Sequence, residues 1–122
     1  MVLIGVMGVI GVLLRYGIGL WVTAWNPGPL PLHTFTINSV GSLVMGLVAG
    51  FAAKRPIPPE WIAAVMVGFL GGFTTFSSYS LEMARFVQGR QWALAALYGI
   101  ASPVLGVLAA LAGAWISDRF LA

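Results

Sequence analysis

Cysteine is absent and histidine occurs once, as His33. The first absence excludes disulfides, thiolate metal sites and cysteine nucleophiles. The second leaves no histidine pair for a metal or acid-base site, and His33 itself is read as a residue at a span boundary. Charge is almost as scarce: six Lys and Arg with three Asp and Glu make 7% of 122 residues, against about a quarter in a soluble domain. Six scattered basic residues form no nucleic-acid surface. What fills the chain is apolar, 60% of it hydrophobic. These proportions define an all-α membrane protein with a single integral membrane domain over residues 1–122.

Four runs reach the roughly 20 residues that cross a bilayer, at about 2–25, 34–53, 61–81 and 92–116. The first ends at Asn26-Pro27-Gly28-Pro29-Leu30-Pro31 and the second at Lys54-Arg55-Pro56-Ile57-Pro58-Pro59-Glu60, where prolines stop a helix. Trp61 opens the third at interfacial depth. The start of the chain lacks a basic n-region and a small-residue cleavage site, so it reads as a membrane span and not a cleaved signal peptide. Most of the 16 glycines lie inside spans, among them Gly5, Gly8 and Gly11, the pair Gly46 and Gly50, and Gly99, Gly106 and Gly113. Close helix packing explains them, since small residues let backbones approach where water drives nothing together.

Lys and Arg divide evenly between the two sides: Lys54, Arg55 and Arg119 against Arg15, Arg85 and Arg90. Orientation follows that asymmetry, and a chain without one inserts either way up, with chance balance in a small count as the competing explanation. Dual topology, and pairing with an inverted copy, follow as expectations.

Polar groups inside the spans are few and patterned. Asn38 has Thr34 one turn before it and Ser42 one turn after; Tyr98 and Ser102 repeat that spacing before Pro103. A buried amide is costly unless bonded, so the stripe is either a helix-helix hydrogen bond or a solvated pathway, and its recurrence favours the pathway. Arg15 and Glu82 lie at or near span ends, where charges face a vestibule, meet each other or snorkel to the interface. The third span carries Gly68-Phe69-Leu70-Gly71-Gly72-Phe73-Thr74-Thr75-Phe76-Ser77-Ser78-Tyr79-Ser80. Two adjacent glycines permit a break, and the hydroxyls of Thr74, Thr75, Ser77 and Ser78 can satisfy the freed backbone. Released carbonyls can hold a small cation. Phe76 and Tyr79 share a face beyond the break and offer positive ring edges, so with the Ser, Thr and Asn donors and Arg15 near a mouth the conduit suits a small anion.

Gly71-Gly72-Phe73-Thr74-Thr75-Phe76-Ser77-Ser78-Tyr79 resembles the GGxTTFSTF signature of the Fluc (CrcB) family of small fluoride channels. Thr36-Ile37-Asn38-Ser39-Val40-Gly41, Arg15-Tyr16 and Glu82 fall where that family has related residues, and the resemblance covers essentially the whole chain. It implies a break in the third of four transmembrane helices and an antiparallel, dual-topology homodimer in the cell membrane, surrounded by lipid, that passively exports fluoride. It further implies a structural sodium ion at the dimer centre, held by the backbone carbonyls of Gly71 and Thr74. Asn38 matches the pore asparagine and Phe76 the first pore phenylalanine; Ser77, Ser78, Tyr98 and Ser102 match or neighbour the polar track. Arg15 matches the vestibule arginine and Glu82 the acidic residue near the pore. Tyr79 departs from the pattern, standing where the family usually has a second phenylalanine. The competing expectation is a small multidrug-type, proton-coupled cation antiporter, which needs a membrane-embedded carboxylate. The first span has none, and Glu60, Glu82 and Asp118 lie toward span ends.

Overall fold

A computed structural model describes residues 1–121, all of whose regular structure is helical. Helix α1 covers Val2–Trp25 and α2 covers Leu32–Ala52. The third crossing is composite: α3 (Pro59–Ala63), a π-helical stretch (Ala64–Phe69), α4 (Leu70–Phe73), two extended residues and α5 (Phe76–Gln88). Helix α6 (Trp92–Ile116) is followed by π-helical Ser117–Leu121. Four of these stretches are long and apolar enough to cross a membrane.

Each terminus has a local cause. Asn26 closes the turn after α1: its side-chain amide donates to the Leu30 carbonyl at 2.8 Å and its Oδ1 accepts from Gly28 N at 3.2 Å. Pro59 sits in the first turn of α3, where no amide proton is needed. After α5 the left-handed position falls to Arg90 (φ 54°), and Gln91 N closes the turn on Phe86 O at 2.9 Å.

Backbones meet directly at the glycines, along two seams. One joins α1 to the third crossing, where Gly8 and Gly11 lie against the backbone of Gly68 and Phe69, and Gly72 faces the Gly8 carbonyl. The other joins α2 to α6, with Gly46 against Ala110 and Gly113 against Leu43. The glycine-packing expectation holds at these positions, whereas Gly5 and Gly17 have open space around them.

The structure moves two features of the third run. Helix α5 continues past the apolar limit at residue 81 to Gln88, because Phe86 is buried against Tyr98 and Ala95 and carries the helix on as an amphipathic one. Glu82 and Arg85 therefore stand on a helix, not in a loop. Gly71 and Gly72, expected to be where the chain opens, are helical; the extended residues are Thr74 (φ −85°, ψ 158°) and Thr75 (φ −150°, ψ 117°).

A methyl group separates the two kinds of glycine. Gly113→Ala pushes a Cβ into the Leu43 carbonyl and is expected to destabilise by about 1–3 kcal/mol, as overpacking does. Gly17→Ala should be neutral or stabilise by up to about 1 kcal/mol, through helix propensity. Thermal unfolding of the two detergent-solubilised variants checks the order; equal midpoints would contradict the seam.

Candidate functional site

Thr75 breaks the helical ladder, and its backbone would be costly in a bilayer if left unpaired. Asn38 supplies both partners from α2. Its Oδ1 accepts from Thr75 N at 2.8 Å, and its Nδ2 donates to Thr75 O at 2.9 Å. The side-chain amide thus stands in for a strand partner. Thr74 turns its hydroxyl back to Leu70 O at 2.8 Å, and the Thr75 hydroxyl caps α5 by accepting from Ser78 N at 3.2 Å. Ser77 and Ser78 gather round that same hydroxyl, at 3.3 and 3.1 Å.

A cavity of about 460 Å³ opens beside the extended pair. Asn38 and Ser42 line it from α2, Thr74, Thr75, Phe76 and Tyr79 from the third crossing, and Ser102 and Pro103 from α6. Its wall is largely apolar, and its polar lining residues are Asn38, Ser42, Thr74, Thr75, Tyr79 and Ser102. Asn38 spends one amide proton on Thr75 and keeps a second.

The tyrosine at position 79 has a specific partner. Pro103 has no amide proton, so the carbonyl four residues earlier, on Gly99, loses its helical donor. The Tyr79 hydroxyl donates to that carbonyl at 2.7 Å. With its hydroxyl engaged there, the ring lines the cavity beside Phe76, the centroids 5.8 Å apart.

From Tyr79 the aromatic contacts continue to Tyr98, 5.3 Å away, whose hydroxyl donates to Glu82 Oε2 at 2.5 Å. Thr34, fully buried, donates to Glu82 Oε1, also at 2.5 Å. Glu82 in turn lines a second, more polar cavity of about 360 Å³ at the end of the helices, with Asn26, His33, Arg85 and Gln91. Tyr98 and Glu82 are thus joined to the first cavity through rings and hydrogen bonds without lining it. Arg15, half-buried on α1, lines neither cavity, and Gly71 is exposed on the outer side of α4. Two members of this cluster have a partner that the sequence does not reveal. His33 was read as interfacial but lies 3.6 Å from Glu82 Oε1. Thr34 was seen only as a neighbour of Asn38, and a threonine one turn away carries no mark of a distant glutamate.

Residues 2–114 match the family model described as CrcB-like protein, Camphor Resistance (CrcB). The chain belongs to the CrcB family. Among similar proteins, the fluoride-specific ion channel FluC of Stutzerimonas stutzeri is 45% identical over 87% of this chain and 86% of its own length. FluC 2 of Symbiobacterium thermophilum is 37% identical over 92% and 89%, and FluC 2 of Bacillus subtilis 40% over 92% and 82%. Family and helices together make this a multi-pass membrane protein.

Tyr79 and Pro103 should be thermodynamically coupled. Tyr79→Phe orphans the Gly99 carbonyl and is expected to cost about 1–3 kcal/mol. In a Pro103→Ala background, where an amide proton returns to that carbonyl, the same change should cost less by about 1 kcal/mol or more. A double-mutant cycle on unfolding in detergent measures the coupling; additive effects would contradict it.

Proposed function

We propose that the chain is a passive, fluoride-selective channel that lets fluoride leave the cell across the cell membrane. The observation that carries this reading is the relatives' shared description: proteins aligned with nearly the whole chain are named fluoride-specific ion channels. The site geometry supports it and suggests how the residues would act. Fluoride is small and strongly hydrated, so a pathway has to replace water with donors while still releasing the ion. Asn38, Ser42 and Ser102 line one cavity, and the free Asn38 amide proton and the two serine hydroxyls are the donors we assign to the ion, while the Thr75 hydroxyl gives its proton to Ser78 Oγ. Phe76 and Tyr79 would add positive ring edges. With the Tyr79 hydroxyl bound to Gly99, the residue would serve through its ring, as a phenylalanine would.

Beyond the cavity the path would follow Tyr98 to Glu82 and the second cavity. Ser77 and Ser78 would act through the Thr75 hydroxyl they surround. Arg15 is assigned to a vestibule by resemblance alone.

In this reading the extended threonines are the functional break of the third helix, and two chains pair antiparallel around it. The exposed flank of α4 and the 78% exposed Phe76 ring are surfaces such a partner, or lipid, would cover. A structural sodium ion fits the same place. Thr75 gives its amide proton to Asn38, so the Gly71 carbonyl four residues back is without its usual helical donor. Carbonyls of Gly71 and Thr74 at a helix C-terminus are hard oxygen ligands of the kind sodium takes. Bound there, the ion would balance the negative end of α4. The proton-coupled cation antiporter draws no support: Glu60 and Asp118 are exposed at helix ends, and both oxygens of Glu82 are taken by hydroxyls.

Purified protein in liposomes should pass fluoride down its gradient, exclude chloride and need no proton gradient. Asn38→Asp and Phe76→Ile should each suppress the flux by at least about tenfold, a barrier change of about 1.4 kcal/mol, with the oligomer intact by crosslinking. Proton-driven uptake of a hydrophobic cation, or wild-type fluoride flux in both variants, would overturn the reading.

A further inference from the structure

His33 lines the second cavity but is given no role in the pathway described above. The second cavity, about 360 Å³, is lined by the loop residues Asn26, Pro29 and Pro31, by His33 at the start of α2, and by Glu82 and Arg85 on α5. His33 Nε2 stands 3.6 Å from Glu82 Oε1, with the imidazole 40% exposed and the carboxylate 13%. Glu82 cannot turn away, because Thr34 from α2 and Tyr98 from α6 each hold one of its oxygens at 2.5 Å. One hydroxyl donor on each oxygen is the arrangement an ionised carboxylate takes.

The charged and titratable groups around the imidazole are therefore few. Glu82 and Arg85 come from α5, Tyr98 from α6, with Tyr79 behind it; α2 adds the neutral Thr34. With the imidazole neutral, Glu82 and Arg85 cancel and the mouth has no net formal charge. With it protonated, the mouth carries one positive charge. Imidazole is the side chain whose charge ordinarily changes between about pH 5 and 8.

We propose that His33 sets the charge of this mouth and so makes anion access proton-dependent, with more fluoride current at acidic than at alkaline pH. The inference rests on the channel reading. A positive charge at a water-filled mouth raises the local concentration of an anion in proportion to its potential and is weakened by salt. One unit charge about 8 Å from the ion in a water-like dielectric changes its local concentration about two- to threefold. The sign is fixed by the chemistry: lowering pH adds the proton, removes the balance between Glu82 and Arg85, and favours fluoride.

The test is fluoride current through the reconstituted protein in a planar bilayer, with both sides moved together between about pH 8 and pH 5.5. Current excludes the neutral acid that leaks through lipid at low pH. Wild type should carry about two- to threefold more current at the acidic end, and the step should shrink in high background salt. His33→Gln should lose the step; His33→Lys should give the larger current at both pH values. A flat wild-type profile, or the same step in His33→Gln, would overturn the proposal while leaving the channel reading standing. Absence of fluoride current at every pH would sink the channel reading and this proposal with it.

Discussion

Inside a bilayer no water is available to satisfy an opened backbone, and the third crossing is organised around the extended pair Thr74 and Thr75, where its helical ladder opens. The two hydrogen bonds between the Asn38 side chain and the Thr75 backbone meet that demand from another helix. They fix the rotation of α2, because an amide reaching the third crossing has to face it. Gly41, one turn on, then lies against Thr74 and Phe73, where a larger side chain would hold the helices apart. Gly46 turns a different face of α2 to Ala110 on α6, so α2 is packed closely on two sides, against the extended threonines and against α6.

A second polar centre is organised differently. Glu82 gathers hydroxyls from α2 and α6 and ties three elements at one end of the helices. Between it and Asn38 run aromatic contacts from Phe76 through Tyr79 to Tyr98. Both polar centres are hydrogen-bonded within themselves, and rings fill the distance between them. At the opposite end Lys54 pairs with Asp118 and Arg55 donates to Leu121 O, joining the loop after α2 to the end of the chain.

Much of this was legible in the sequence. The four crossings followed from apolar length and proline punctuation, which act locally. Asn38 could be singled out because an amide in a span demands a partner, although only the fold could name Thr75. The adjacent glycines misled: Gly72 is helical and serves the α1 seam by facing the Gly8 carbonyl, while the extended conformation falls on the threonines, whose hydroxyls cap both sides of the opening. Glu82 was placed beyond the span because hydropathy falls there, but helix continuation was decided by Phe86 burying itself against α6. Thr34 and His33 carried no signal of their own, since their roles depend on a glutamate brought near by tertiary packing.

The proline in α6 has a consequence for how such a chain can drift. By withholding an amide from Gly99, Pro103 creates a chemical vacancy on one helix that is filled by a phenol on another. The two positions are then no longer independent under mutation. With the proline in place, losing the hydroxyl at position 79 leaves the Gly99 carbonyl unpaired, whereas without the proline a plain ring there carries no such cost. The hydroxyl that sets Tyr79 apart from the family motif thus has its physical reason on a different helix.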